Sequence, residues 1–381
     1  MKNRIRIAFF LLMGVLCMSC GKKTQDVDAV MEDTKKDTVI IETEYITETV
    51  EVECVSKEDE TEYISEMSET ETQVAVQEQT PYERHGVLQV IGNKLCNQNG
   101  EAVQLKGVST LGIVWFPQFI DKEGFQTIYD WGGNVVRLAV YTEEYNGYLS
   151  GGNQEAQKEA IDKGVQAATE LGMYVIIDWH ILSDGNPNTH KEEAKAFFDE
   201  ITEKYKDYGN VIYEICNEPN GNVSWEEVKA YAEEVVPVIR THDTDAIIII
   251  GTPTWSQDVD IAAQSPVQGN NLMYACHFYA NTHKEELREK VEKALDLGVA
   301  VFISEYSICD ASGNGVINYE EAEKWVAFIE EHNLSYVQWN LANKNESSSI
   351  IRPESQAVSG WTEEELSETG VWLKNRLMND K

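Results

Sequence analysis

Basic residues are scarce in this chain: 31 Lys and Arg stand against 66 Asp and Glu in 381 residues, a formal net charge of −35. A polyanion of this kind repels nucleic acid phosphates and anionic membrane surfaces. It also disfavours an acidic polysaccharide, because like charges would meet wherever the two touched; a neutral ligand is the easier fit. No Gly-x-Gly-x-x-Gly or Gly-x-x-x-x-Gly-Lys run is present, so no phosphate cradle is expected. Beyond the N-terminal leader, Cys54, Cys96, Cys216, Cys276 and Cys309 are widely spaced and form no Cys-x-x-Cys pair. The histidines show no metal spacing either, so neither metal nor cofactor is expected. Cys216 and Cys276 lie in apolar runs and read as buried, reduced thiols. Long hydrophobic runs are missing too: Ile7 to Met18 falls short of the roughly 20 residues a permanent membrane helix needs.

That short run belongs to a leader. Lys2, Arg4 and Arg6 precede it and Ser19-Cys20-Gly21 supplies a small-residue exit, so residues 1–20 read as an export signal. Cys20 resembles the lipidated cysteine of a bacterial lipoprotein, although Cys17 and Met18 stand where leucine and a smaller residue are usual. The expectation is an extracellular protein, tethered to the cell surface through Cys20 or else cleaved and free. Residues 21–82 follow with repeated Glu and Thr, as in Ile41–Tyr45 and Ser68–Thr72. Such sequence cannot bury enough apolar surface to offset its ordering entropy, and it reads as a disordered acidic linker.

From residue 83 onward the pattern changes to β/α alternation. Gly86–Leu95 and Val103–Leu105 suggest a short N-terminal β-hairpin. Apolar runs then recur at 104–109, 135–140, 174–179, 211–216, 246–250, 272–277, 300–304 and 335–340. Helical segments fall between most of them, at 154–171, 192–208, 225–240, 284–297 and 319–332, and Ser224 with Glu227 makes a capping box before the third. Eight short apolar runs alternating with helices predict an α/β fold, a (β/α)8 TIM barrel over residues 83–381. A doubly wound open sheet is the alternative, and the missing phosphate loop argues against it.

In such a barrel the reacting groups sit at the C-terminal ends of the strands. Those ends carry Arg137, Trp179-His180, Asn217-Glu218-Pro219, His277-Phe278-Tyr279, Glu305-Tyr306 and Trp339. A lone Glu after a strand is most often a helix cap or loop residue, but so many charged and aromatic groups on one face point to a cleft. Glu218 and Glu305, on the fourth and seventh runs, suit glycosidic hydrolysis with retention, which needs two carboxyls about 5–5.5 Å apart. One attacks the anomeric carbon and the other protonates the leaving oxygen. Arg137 would hold Glu305 anionic, while the negative charge nearby would keep Glu218 protonated before attack.

Asn217-Glu218-Pro219 resembles the acid/base signature of glycoside hydrolase family 5. Ile177–His180, Gly251–Asp258, His277–Tyr279, Ser304–Tyr306 and Asn343–Ser348 are similar to segments of its bacterial endoglucanases, and the resemblance covers about residues 85–375. It implies Glu218 as acid/base and Glu305 as nucleophile, with Asn217 on the sugar 2-hydroxyl and Arg137, His180, His277 and Tyr279 around the two carboxyls. Trp339 would floor the reacting subsite. Trp115, Tyr141, Lys344 and Glu346 would bind sugar on the non-reducing side, and Trp255 the leaving group. Leu111 stands where the family commonly has histidine, Val114 where glutamine is frequent, and Ser307 where glycine is usual. The first of these would weaken a distal hydrogen bond without touching the chemistry.

The expected activity is retaining hydrolysis of β-1,4-glucan by a monomer without cofactor. β-Mannan, xyloglucan or xylan is the alternative substrate; a non-catalytic sugar-binding surface protein is disfavoured by the presence of both carboxylates. The run Asp310–Gly315, with Asn318 and Glu321, has calcium-loop spacing. A strand run precedes it instead of a helix, so an ordinary loop is expected and no metal.

Overall fold

The computed structural model describes residues 79–379. The export signal, Cys20, Cys54 and the Glu/Thr-rich segment through residue 78 lie outside the described residues. A one-turn helix, α1 (Pro81–His85), opens the described chain, capped by the Thr80 hydroxyl on the Glu83 amide. The hairpin strands β1 (Gln89–Ile91) and β2 (Lys94–Cys96) follow, turning at Gly92, whose φ of 61° is a conformation glycine adopts without strain.

All eight apolar runs form strands: β3 (Lys106–Thr110), β4 (Val135–Tyr141), β5 (Tyr174–His180), β6 (Val211–Glu214), β7 (Ile248–Ile250), β8 (Leu272–Tyr279), β9 (Ala300–Ser307) and β10 (Ser335–Leu341). They pair in parallel in the closed order β10-β3-β4-β5-β6-β7-β8-β9. Seven of the eight, β4 to β10, are buried along their whole length, and β3 in all but its first residue, which is why they read as continuous apolar runs instead of alternating ones.

The outer layer comprises α2 (Lys122–Trp131), α3 (Gln154–Glu170), α4 (Lys191–Tyr205), α5 (Trp225–His242), the single turn α6 (Pro253–Ser256), α7 (Val259–Gln264), α8 (Glu285–Asp296), α9 (Tyr319–His332) and α10 (Glu368–Asn379). The capping box that opens α5 forms as anticipated: the Glu227 amide donates to the Ser224 hydroxyl and the Ser224 amide to the Glu227 carboxylate. Helices α2 and α10 were not among the expected elements.

Apolar side chains divide by level. One cluster fills the space between ring and helices, with Trp179, Phe197, Tyr231, Phe278 and Trp325 among it. A second fills the lower interior of the ring, from Tyr174, Ile176, Ile212, Ile249, Met273 and Phe302. The β1–β2 hairpin plugs that end, adding Leu88 and Leu95 to the cluster and tying Val90 N–H to Asn271 Oδ1 at 2.9 Å. A third, at the opposite mouth, contains Leu111, Ala139, Tyr141, Tyr279, Cys309 and Trp339. Between the lower plug and the mouth lies a polar layer. Cys96, Cys216, Cys276 and Cys309 are all unpaired and buried.

Candidate active site

Strand periodicity builds the polar layer. On β4, Val135 joins the lower cluster and Ala139 and Tyr141 the mouth cluster, so Arg137 between them points inward at mid-height. The same alternation turns Asp178 and His180 inward on β5, Glu214 on β6, and His277 and Tyr279 on β8. Strand β9 departs from it. Ala275 pairs with Phe302 but His277 pairs with Glu305, so two residues of β8 face three of β9. Such a bulge re-aims side chains, and it brings both Ser304 and Glu305 to the interior.

Arg137, fully buried, holds the layer together with all its donors engaged. Its Nε donates to Glu214 Oε2 at 2.7 Å, Nη1 to Glu305 Oε2 and Ser109 Oγ at 3.3 Å each, and Nη2 to Asn217 Oδ1 at 2.7 Å. Asp178 Oδ2 lies 3.0 Å from Nη2. Burial opposes the guanidinium charge, but Asp178, Glu214 and Glu305 outweigh it and raise its pKa above the ordinary value. Burial also works against the Glu214 carboxylate; Arg137 and the His277 side prevail and hold it down to about 2. Asp178 is pushed well up by burial against the pull of Arg137.

Glu305 accepts a second bond, from Tyr279 Oη to Oε1 at 2.7 Å. Burial and the Glu305 charge raise the Tyr279 phenol well above its usual range, so it remains a donor. Across the cleft, Glu218 Oε1 lies 3.0 Å from His277 Nδ1, and His277 Nε2 lies 2.9 Å from Ser304 Oγ. One carboxyl oxygen of Glu218, one of Glu305 and a ring nitrogen of His277 lie within 4.8 Å of one another. Their spacing would admit a cation, but both nitrogens of His277 already have hydrogen-bond partners.

The mouth is aromatic. Trp339 stacks on His180, with centroids 5.4 Å apart and planes 14° from parallel, and Tyr141 lies against His180 at 4.0 Å. Trp115 packs on Tyr141 at 4.4 Å, with its indole N–H donating to the Tyr145 carbonyl. His180 donates or accepts at Asp178 Oδ2 (2.6 Å), and burial together with Arg137 presses it down to about 3, leaving it neutral. Lys344 pairs with Glu346 at 2.5 Å, and Glu346 accepts from Asn340 Nδ2 beside Trp339. Trp255 stands opposite, after β7, and is 45% exposed. Its amide donates to the Pro219 carbonyl, and Ser256 Oγ donates to the Asn217 carbonyl at 2.6 Å. Thr254, Trp255 and Ser256 all have φ between 54° and 58°, a left-handed turn of non-glycine residues that these bonds hold in place. The residues expected at the catalytic centre and the sugar subsites thus gather at this end of the ring, with Arg137 and Asn217 buried beneath the others.

Residues 96–345 match the family model described as cellulase, glycosyl hydrolase family 5. This chain belongs to glycosyl hydrolase family 5. An endoglucanase of Clostridium saccharobutylicum is 49% identical over 294 residues, 77% of this chain and 65% of that protein. Endoglucanase A of Butyrivibrio fibrisolvens is 46% identical over 297 residues, 77% of this chain and 69% of the relative. The chain therefore spans a little under two thirds of the length of the first relative. A solved variant of the Thermobifida fusca endoglucanase Cel5A catalytic domain, in complex with cellotetraose, is 35% identical. It covers 78% of this chain and 99% of that one, with a TM-score of 0.75.

Within this family 5 barrel, sequence reading passed over Glu214, Ser304 and any role for Asp178. The available signal was a carboxylate inside an apolar strand run, Tyr213-Glu214-Ile215 and Ile177-Asp178-Trp179, which is costly to bury without a partner. Leu111 is buried among Tyr141 and Trp339 in the mouth cluster. In the loop after β9, Asp310 accepts from Asn281 Nδ2 (2.5 Å) and the Val316 amide (3.1 Å). Asn318 caps α9, and Glu321 within α9 accepts from Arg288 on α8.

Proposed function

We propose that the protein is an endo-β-1,4-glucanase that hydrolyses internal bonds of β-glucan with retention, Glu305 acting as nucleophile and Glu218 as acid/base. The observation that carries this reading is the approach of the two carboxyls, oxygens within 4.8 Å. Retention needs about 5–5.5 Å, whereas inversion needs about 6.5–9.5 Å to admit water between them. Arg137 and Tyr279 each donate to Glu305, one to each oxygen, and so orient it for attack on the anomeric carbon. As the glycosidic bond breaks, the leaving oxygen takes a proton from Glu218. In the second step Glu218 accepts a proton from water, which attacks the same carbon and frees Glu305.

Flat aromatic faces suit β-linked glucose, whose apolar C–H faces are rimmed by hydroxyls. Trp115, Tyr141 and Trp339, with Lys344 and Glu346 beside them, support sugar binding on one side of the scissile bond, and Trp255 supports it on the other. The names of the relatives and the cellotetraose complex favour a glucan.

The test is NMR of the first product from a defined cello-oligosaccharide, with mannan, xyloglucan and xylan run in parallel. The β-anomer should form first, and Glu218→Gln or Glu305→Gln should lower turnover by orders of magnitude while sparing binding. An initial α-anomer, or variants as fast as wild type, would overturn the assignment.

The leader supports an extracellular enzyme tethered through Cys20. Mass spectrometry of the mature N-terminus should find a diacylated Cys20, and an unmodified terminus rules the tether out.

A further inference from the structure

Beneath the cleft, a buried chain of hydrogen bonds links the two glutamates: Glu305–Arg137–Glu214–Ser304–His277–Glu218. Glu214 is its centre. One oxygen accepts from Arg137 Nε and the other from Ser304 Oγ, both at 2.7 Å, and the side chain is fully buried. It touches no cleft surface, so it has no part in holding sugar.

We propose that Glu214 and Ser304 are positioning residues that fix the proton shared by His277 and Glu218, and so set the pH range over which the acid/base works. The inference rests on the retaining-hydrolase reading above. The Ser304 hydroxyl has a single proton, and it donates that proton to Glu214, whose carboxylate can only accept. Ser304 Oγ must therefore accept from His277, which places a proton on Nε2 in both charge states of the ring. The titrating position is Nδ1, facing Glu218. Between Nδ1 and Glu218 Oε1 one proton is held, on either atom. It passes to the leaving oxygen as the glycosidic C–O bond breaks. The emptied pair, a carboxylate facing a nitrogen lone pair, then takes a proton from the attacking water as the bond from the anomeric carbon to Glu305 breaks.

The charges around His277 come from several strands. Glu218 and Glu214 lie after and on β6, the latter 3.8 Å from Nε2, and Glu305 is on β9. Asp178 on β5 and His283 after β8 also feel the ring's charge. Glu214 itself neither attacks nor transfers a proton. Arg137 keeps it ionised, and its field holds the shared proton in place.

Glu214→Gln removes that charge at nearly constant volume. The pair should then lose its proton at lower pH, moving the basic limb of the kcat/KM profile down by about one unit or more, since an opposite charge within ~4–6 Å shifts a pKa by ~1–3 units. Ser304→Ala, which leaves every charge in place, should move the same limb in the same direction by less, and Ser304→Thr should restore it. If Glu214→Gln does not fold, the two serine variants decide the matter. Variants whose activity drops evenly, with the basic limb unmoved, have a merely structural defect and overturn the proposal. Wild-type enzyme that releases no reducing sugar from any β-glucan overturns the reading of the site instead.

Discussion

At Arg137 three carboxylates converge on one guanidinium, and the geometry needs the planar fork of arginine rather than the point charge of lysine. The arrangement ties conformational stability to the protonation of its neighbours. Burial works against a charge on His277, but Glu214 and Glu218 prevail and raise it from 6.5 to about 9. A folded-state pKa above the unfolded one stabilises fully below pH 6.5, and that contribution is lost as pH rises through about 9. Melting temperature should therefore decline across this window, and the decline should flatten in His277→Asn. Thermal melts in overlapping buffers check this; parallel slopes in the two proteins would refute it. At this scale the sequence is legible where a residue follows an apolar run, as Glu218 and Glu305 do. Glu214 and Asp178 stand inside such runs, and nothing local says whether a charge there meets a partner across the ring.

Among the elements, β3 to β10 are legible because a strand covered on both faces must be apolar throughout. Their ends are less so. Strand β6 stops at Glu214, although the Ile215 and Asn217 amides still bond the Ile249 and Trp179 carbonyls, while β8 and β9 continue to Tyr279 and Ser307. Helix α2 escapes notice because Gly124 interrupts its pattern, and α10 because Thr369 and Gly370 open it with weak helix formers. Gly370 is needed there: a Cβ would come 2.0 Å from the Ile350 carbonyl oxygen. Helix α10 buries Leu373 and Leu377, and Thr369 Oγ1 donates to the Ser347 carbonyl at 2.6 Å. At about 1.5–3 kcal/mol for each buried leucine, ending the chain at Ser367 should cost at least about 3–6 kcal/mol, a large share of the ~5–15 kcal/mol that holds a typical domain. Soluble yield and the circular-dichroism melt report it, and a truncated chain melting with the full one would show that the helix is dispensable.

At the scale of the molecule, the count of eight strand runs announces a barrel, but neither its closure nor the β9 bulge is written in any single segment. Both are relations between strands. Closure depends on β10 reaching β3, with Tyr336 beside Lys106 and Ser335 Oγ accepting from the Leu105 amide 230 residues earlier. A chain still emerging from the ribosome at residue 334 already contains Glu218 and Glu305, yet has no Trp339 at the mouth and no ring to bring the two acids together. Translation order thus acts as a safety catch: Glu218 and Glu305 meet only when the last staves of the cask are in place.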